Sequence, residues 1–353
     1  MEGINIVGYK SIASLGIDLS AINVLIGQNG AGKSNFLSVF KLLNKIGEGK
    51  LKLHTQKNKA ENLLYYGSKV TEEISIGLLF DLFNYSIQLQ PANDDTLFIS
   101  QESIFSHAIQ KATFTEYGLR ESSLSEKSKS DALANEVKNY FEKLWVYHFN
   151  DTTESARVKK YFRVIENTEL FEDAGNLASF LYLLKETQSE YYERIVKTIQ
   201  LVIPYFNNFI LRPDPYNNDE IHLEWSDKYR SGRIFTANEL SDGSIRFICI
   251  ATLLLQKVLP DIILLDEPEL GLHPAAITVL AGLIKKASKR SQVIISTQSV
   301  SLVNEFDAED IIVVEKKEAD SKFKRLEANK LEPWLNEYSL GELWDKNIIG
   351  GNP

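Results

Sequence analysis

At 353 residues with 44% hydrophobic side chains, the chain is long enough for one large domain or two around a substantial core, and its net charge of -9 excludes a surface coated in positive charge for nucleic acid. The most apolar run, 247–259, is broken by Thr252, Gln256 and Lys257 and falls short of the roughly 18 to 20 residues of a membrane span, and residues 1–5 carry neither the basic nor the apolar part of a secretion signal. A single cysteine, Cys249, excludes an internal disulfide and suits a reducing cytoplasm, and the histidines are scattered without metal-ligand spacing.

Short strands are predicted over 4–7 and 16–19, on either side of a turn at Tyr9, Lys10 and Ser11, as an edge leading into the apolar strand 23–26. That strand runs into Gly27, Gln28, Asn29, Gly30, Ala31, Gly32, Lys33 and Ser34, which fit G-x-x-x-x-G-K-[ST] at every fixed position. Asn35 then opens a segment whose apolar residues recur at helical spacing. Strand, glycine loop and helix in that order describe a phosphate site: glycines let successive N–H groups curl toward phosphate oxygens, Lys33 reaches the outer phosphates, and the Ser34 hydroxyl is a Mg²⁺ ligand. Lys41, Lys45, Lys50, Lys52, Lys57 and Lys59 crowd the following segment, read as a solvated loop that could also meet a phosphate backbone.

Strands are predicted over 73–78, 85–89 and 96–99, giving a first lobe with a mixed sheet around the nucleotide. From 103 to 204 the texture turns helical, with helices predicted near 131–146, 154–166, 173–187 and 189–203 and a serine-rich loop over 122–130. Residues 207–225 return to alternation. Beyond 236 strands and helices alternate, with strands over 262–265, 292–296 and 310–314, as in a parallel sheet with covered faces. The fold class is therefore α/β, with a head over 1–102 and 205–353 and a mainly helical insertion lobe over 103–204.

Two further motifs lie in the second half. The strand 262–265 ends in Asp266 and Glu267, at the end of a parallel strand where ligands of α/β sheets lie; Asp266 is placed to hold Mg²⁺ and Glu267 to orient or deprotonate the attacking water. In Leu240-Ser241-Asp242-Gly243-Ser244, Ser241 is an N-cap that leaves a positive helix end pointing outward.

A phosphate loop, a helical insertion, L-S-D-G-S, I-I-L-L-D-E-P-E-L-G-L-H-P and a strand ending Ser296, Thr297, Gln298 and Ser299 together resemble the ABC-type ATPases of the SMC, RecF and OLD branch. The whole chain is similar to the small stand-alone bacterial members of that branch, the predicted AAA-family ATPases, on residues 147–152, 174–178 and 338–344 as well. The resemblance implies an ABC-type P-loop head with a mixed or parallel sheet, binding ATP with Mg²⁺. It assigns Ser241 and Gly243 to a signature that meets the nucleotide of a second chain, Asp266 and Glu267 to the Walker B pair, and Leu270 to Pro274 to the D-loop. Gln298 stands where the family has its switch histidine; it hydrogen-bonds but cannot become cationic, so slow hydrolysis is expected. Gln101 is the candidate for the family's glutamine loop, with Gln88 and Gln90 read as strand residues, and Lys10 resembles a basic residue that approaches the nucleotide.

The implied function is an ATP-hydrolysing switch that dimerises on two ATP, coupled to DNA-related or phage-defence work through a separate effector such as a nuclease, with DNA a possible partner. The alternative is a slow-turnover ATP-dependent scaffold or sensor that recruits a protein without touching DNA. The long segment between phosphate loop and signature disfavours a membrane-transporter ATPase, and a simple kinase would leave the signature without a role.

Overall fold

The computed structural model describes residues 1–351. The first part of the chain forms β1 (Gly3–Tyr9), β2 (Ile12–Asp18), β3 (Ile22–Ile26), α1 (Lys33–Gly47), α2 (Leu51–Asn58), α3 (Ala60–Leu63), β4 (Ile74–Leu79), β5 (Phe83–Pro91), β6 (Leu97–Ser106) and β7 (Lys111–Leu119). The middle forms α4 (Leu124–Lys127), α5 (Ala132–Glu142), β8 (Val146–Tyr147), β9 (Phe162–Arg163), α6 (Leu177–Thr187), α7 (Ser189–Val202), β10 (Phe206–Ile210), β11 (Glu220–Ile221), β12 (Glu224–Asp227) and β13 (Ile234–Thr236). The last part forms α8 (Asp242–Leu255), β14 (Ile262–Asp266), α9 (Pro274–Ala287), β15 (Gln292–Thr297), α10 (Val300–Val303), β16 (Ile311–Lys317), β17 (Asp320–Arg325), α11 (Ala328–Leu335) and α12 (Leu340–Asp345).

The central sheet has the order β17-β16-β3-β15-β14-β8. From β16 to β8 all its pairings are parallel, and β17 adds an antiparallel edge. Every residue of β3 is buried because both faces of the sheet are covered, which is why this strand is apolar but for Asn23, whose amide is hydrogen-bonded to Ser20 O and Val293 O. Val24 and Ile26 face one core, shared with α6 to α9, while Leu25 faces another, shared with α1 and a second sheet.

That second sheet is antiparallel, in the order β2-β1-β4-β5-β6-β7. It corrects the expected first lobe: β1 and β2 do not join the phosphate-loop strand in one mixed sheet but lie in a separate layer, across α1 from it. Strand identity is local, set by alternation such as that of β4, whereas sheet membership is decided by long-range packing.

Three other expectations change. Residues 97–106 and 111–119 form a strand hairpin, so the helical texture begins near 124 rather than at 103. The helix expected over 154–166 is absent: a 3₁₀ turn at Arg157–Lys159 and the short β9 occupy it. The lysine-rich segment after α1 is helical in α2, and Lys45 and Lys50 both pair with Glu48, leaving Lys41, Lys52, Lys57 and Lys59 exposed. Cys249 is buried in the core, where desolvation pushes its thiol pKa well up. No helix among the described residues is long and apolar enough to cross a membrane.

Candidate functional site

Parallel strands place all their carboxyl ends on one edge, and the phosphate loop, the acidic pair and Gln298 follow three such strand ends. β3 delivers the glycine loop, β14 delivers Asp266 and Glu267, and β15 delivers Thr297 and Gln298, with Asp266 in register with Ser296 and Ile26 with Thr297.

The loop is shaped by close packing as well as by conformation. Gly27, Gly30 and Gly32 have φ of 151°, 78° and 118°. A Cβ on Gly27 would come within 2.1 Å of the Val314 carbonyl oxygen and one on Gly32 within 2.1 Å of Ser321 Oγ, so neither position admits a side chain. Gly32 caps α1 with no side chain over the helix start, which leaves first-turn N–H groups free for an anion. Gln28 and Asn29 are exposed at the loop's crest, where with Gly30 and Ala31 they wall a cavity of about 320 Å³ against Lys316.

Lys33 is 5% exposed, and its Nζ donates to the carbonyl oxygens of Gly27 and, at 3.1 Å, Gln28. Burial lowers the ammonium pKa, and the carboxylates of Glu267, Asp266 and Glu269 act in the opposite direction. The strands that carry the lysine's loop and the acidic residues lie on either side of β15. Ser34 is exposed at its mouth, and Asn35 donates to Ser11 Oγ at 2.7 Å beside a cleft of about 510 Å³ that Lys10 also lines. Lys10 has φ of 48° and donates to Ser38 Oγ on α1.

On the acidic side, Asp266 Oδ1 accepts from the Ser296 hydroxyl. Glu267 sits at φ 49°, a left-handed conformation costly for a glutamate, and its side chain accepts from the Gln298 amide. Strained backbone of this kind collects at functional sites, where the surroundings hold a side chain against its preference. Glu269, 8% exposed, accepts from Thr297 Oγ1 and from the Gln298 N–H, while its Oε2 has no partner among the described residues. Desolvation raises its pKa.

The Ser34 hydroxyl and the Asp266 carboxylate are the oxygen donors that would hold a metal meeting a phosphate. That set fits Mg²⁺, which binds through one or two carboxylates with the substrate's phosphates completing its shell. The arrangement can hold a polyphosphate on N–H groups and Lys33 and present a water to the Glu267 carboxylate, which the Gln298 amide holds.

Ser241 and Gly243 are placed differently. Ser241 is exposed and caps α8, accepting from the Ser244 N–H at 3.2 Å. A Cβ on Gly243 would lie 2.3 Å from the Gly271 carbonyl oxygen, so glycine is required for α8 to pack on the turn after β14. Arg246, one turn on, donates to Leu270 O at 2.9 Å and Asn150 O at 3.0 Å. Among the described residues no hydrogen bond joins Ser241 to the phosphate loop. Gln101 is not brought to the site: it lies in β6, in register with Gln88 and Tyr117. Glu269, Arg246 and His148 were not marked by motif alone, although His148 lies in the 147–152 stretch quoted for the resemblance.

The family model described as "AAA domain, putative AbiEii toxin, Type IV TA system" matches residues 22–304, from β3 to beyond β15. No curated protein matches the chain. Among solved structures it is similar to an Smc head bound to the C-winged helix domain of ScpA, with a TM-score of 0.58, 18% identity, and 94% of this chain and 99% of that one covered. It is also similar to an Smc head domain with an extended coiled coil bound to the C-terminal domain of ScpA from Pyrococcus furiosus, with a TM-score of 0.54, 16% identity, and 95% and 98% covered. At such identities the likeness is one of fold, and it covers nearly the whole chain. With its phosphate loop and acidic strand end inside the matched span, the chain belongs to this AAA-domain family, and its fold is like that of an Smc head.

Proposed function

We propose that the protein is an ATP-hydrolysing switch in which two chains close on two ATP, each nucleotide lying between the phosphate loop of one chain and the Ser241–Gly243 helix start of the other. The observation that carries this reading is the exposure of a capped, glycine-packed helix start that makes no hydrogen bond with the phosphate loop of its own chain. In the closed pair, Lys33 and first-turn N–H groups of α1 bind the outer phosphates. The N-terminus of α8 from the second chain adds positive potential at the transferred phosphoryl group. Glu267, oriented by Gln298, aligns the attacking water and takes its proton. Ser34 and Asp266 hold Mg²⁺, which neutralises charge on the phosphate oxygens when bound.

Opening and closing are coupled to DNA-related or phage-defence work through a separate effector; the exposed lysines of α2 support a DNA contact. One observation favours the rival scaffold reading, in which a partner protein is recruited with little turnover. The side chain on Glu267 is the neutral amide of Gln298, which cannot supply the positive charge that a protonated histidine would.

Gel filtration of Glu267→Gln with and without Mg-ATP tests the proposal. The expected result is a shift from one chain to two on adding nucleotide; the same elution volume in both conditions rules out the two-chain mechanism. Turnover of the unaltered protein, with and without duplex DNA, separates the two couplings.

A further inference from the structure

His148, Phe149 and Asn150 follow a strand of only two residues, β8, and that strand pairs in parallel with β14: Val146 with Leu264 and Tyr147 with Leu265. One residue further along both strands, His148 stands beside Asp266. The rings of Tyr147 and Phe149 are buried and 5.9 Å apart, so alternation leaves the histidine between them at the open edge of the sheet. Its Nδ1 lies 3.8 Å from Asp266 Oδ2, with the two side chains 49% and 19% exposed.

We propose that His148 is a positioning residue for Asp266, holding the β8 side of its carboxylate while Ser296 holds the other, so that Asp266 meets Mg²⁺ in one orientation. This rests on the reading of Asp266 as a metal-facing group. Ser296 engages Oδ1, and the oxygen nearest His148 is Oδ2, so each carboxylate oxygen has its own neighbour. The separation of 3.8 Å is longer than a direct hydrogen bond, and in this proposal a small rotation of the ring on loading closes it.

The backbone that carries the ring is fixed from two sides. The His148 N–H donates to Glu172 O at 3.0 Å, and Arg246 from α8 donates to Asn150 O. A half-exposed His–Asp pair at this distance contributes little to folding, so stability does not account for an imidazole held here. Partners that orient a metal ligand commonly change metal affinity or activity by about 10- to 100-fold when removed.

Binding of a fluorescent ATP analogue, titrated with Mg²⁺ at fixed nucleotide and repeated without Mg²⁺, tests the assignment in His148→Ala, His148→Asn and Asp266→Asn. In His148→Ala the Mg²⁺ concentration for half-maximal effect should rise about tenfold. Affinity without Mg²⁺ and the melting temperature should be unchanged, and His148→Asn, which restores an N–H near the Nδ1 position, should recover most of the loss. A half-maximal Mg²⁺ concentration within about twofold of wild type in His148→Ala, while Asp266→Asn is impaired, overturns the role of His148 alone. Loss of Mg²⁺-free binding or of stability in His148→Ala also overturns it, in favour of a structural role. An Asp266→Asn protein with wild-type Mg²⁺ dependence overturns the metal reading and this proposal with it.

Discussion

The phosphate loop and the start of α8 are both helix N-termini shaped by glycine, but they differ in how much of their surroundings the chain itself provides. Around the loop, Lys33 is enclosed, Gly27 and Gly32 are pressed against Val314 and Ser321, and three carboxylates act on the lysine. At α8 only the packing side is provided: Gly243 lies on Gly271, while Ser241 and Asp242 face solvent. The first is enclosed within one chain; the second is exposed, and under the proposed function it is the surface that a second chain meets. The same backbone motif, a helix start shaped by glycine, is therefore walled in one place and open in the other, where the proposed function puts a docking face.

This contrast is broken most severely by Lys33→Ala. Removing the cation should abolish measurable ATP binding to the single chain and lower turnover by about 100- to 1000-fold or more, read by titration with a fluorescent analogue and by phosphate release. Retained tight binding would mean that the backbone N–H groups suffice. Gly243→Ala sharpens the contrast from the other side: its Cβ cannot coexist with Gly271 O, so the α8 start must shift, at a cost of about 1 to 3 kcal/mol in stability. ATP binding to one chain should survive while nucleotide-dependent pairing in the Glu267→Gln background is lost. If pairing is unaffected, α8 is not the docking face.

Ser241→Ala should be milder, since it removes a cap worth about 0.5 to 2 kcal/mol and leaves the glycine contact in place. Thermal denaturation checks the first effect, and gel filtration should show weakened pairing. The smallest effect concerns Glu269. Its carboxyl pKa is raised by burial, so in the range above its unfolded value the folded chain binds the proton more tightly, and stability falls as pH rises through the folded pKa. Glu269→Gln removes this dependence. The melting temperature of the variant minus that of wild type should therefore increase between pH 4 and pH 8; a constant difference would show that Glu269 does not titrate in this way.

The chain's regular motifs were legible because each is a local pattern. The strand into Gly27, the helix from Pro274 and the strand before Asp266 are delimited by apolar runs and by their breakers, and they appear where the sequence puts them. Residues 103–119 fall within the stretch whose spacing and charge read as helical, yet they form the end of β6, a turn and β7. Glu102 is buried, and its carboxylate accepts from Tyr85, Ser122 and Ser123, a network no window of sequence reveals. β8 escaped for the opposite reason: two residues carry no period, and their strand character comes wholly from pairing with β14. His148 was therefore invisible as a neighbour of Asp266, although both residues were in view. The roles of Lys33, Asp266 and Glu267 were proposed from motif mechanics, and the spatial gathering of the three follows from parallel topology rather than from spacing.

The contact of Arg246 with Leu270 and Asn150, together with the seat of Gly243 on Gly271, bears on how this protein could be recombined. A five-residue signature looks like a cassette that could be exchanged between relatives. Here it is keyed to two other segments distant in sequence, one after β14 and one after β8. A chimera that imports only residues 240–244 would leave a mismatched surface under the helix, whereas one that also imports 148–151 and 270–272 would carry the matching half. The unit that packs at this site is thus a three-segment contact rather than a motif.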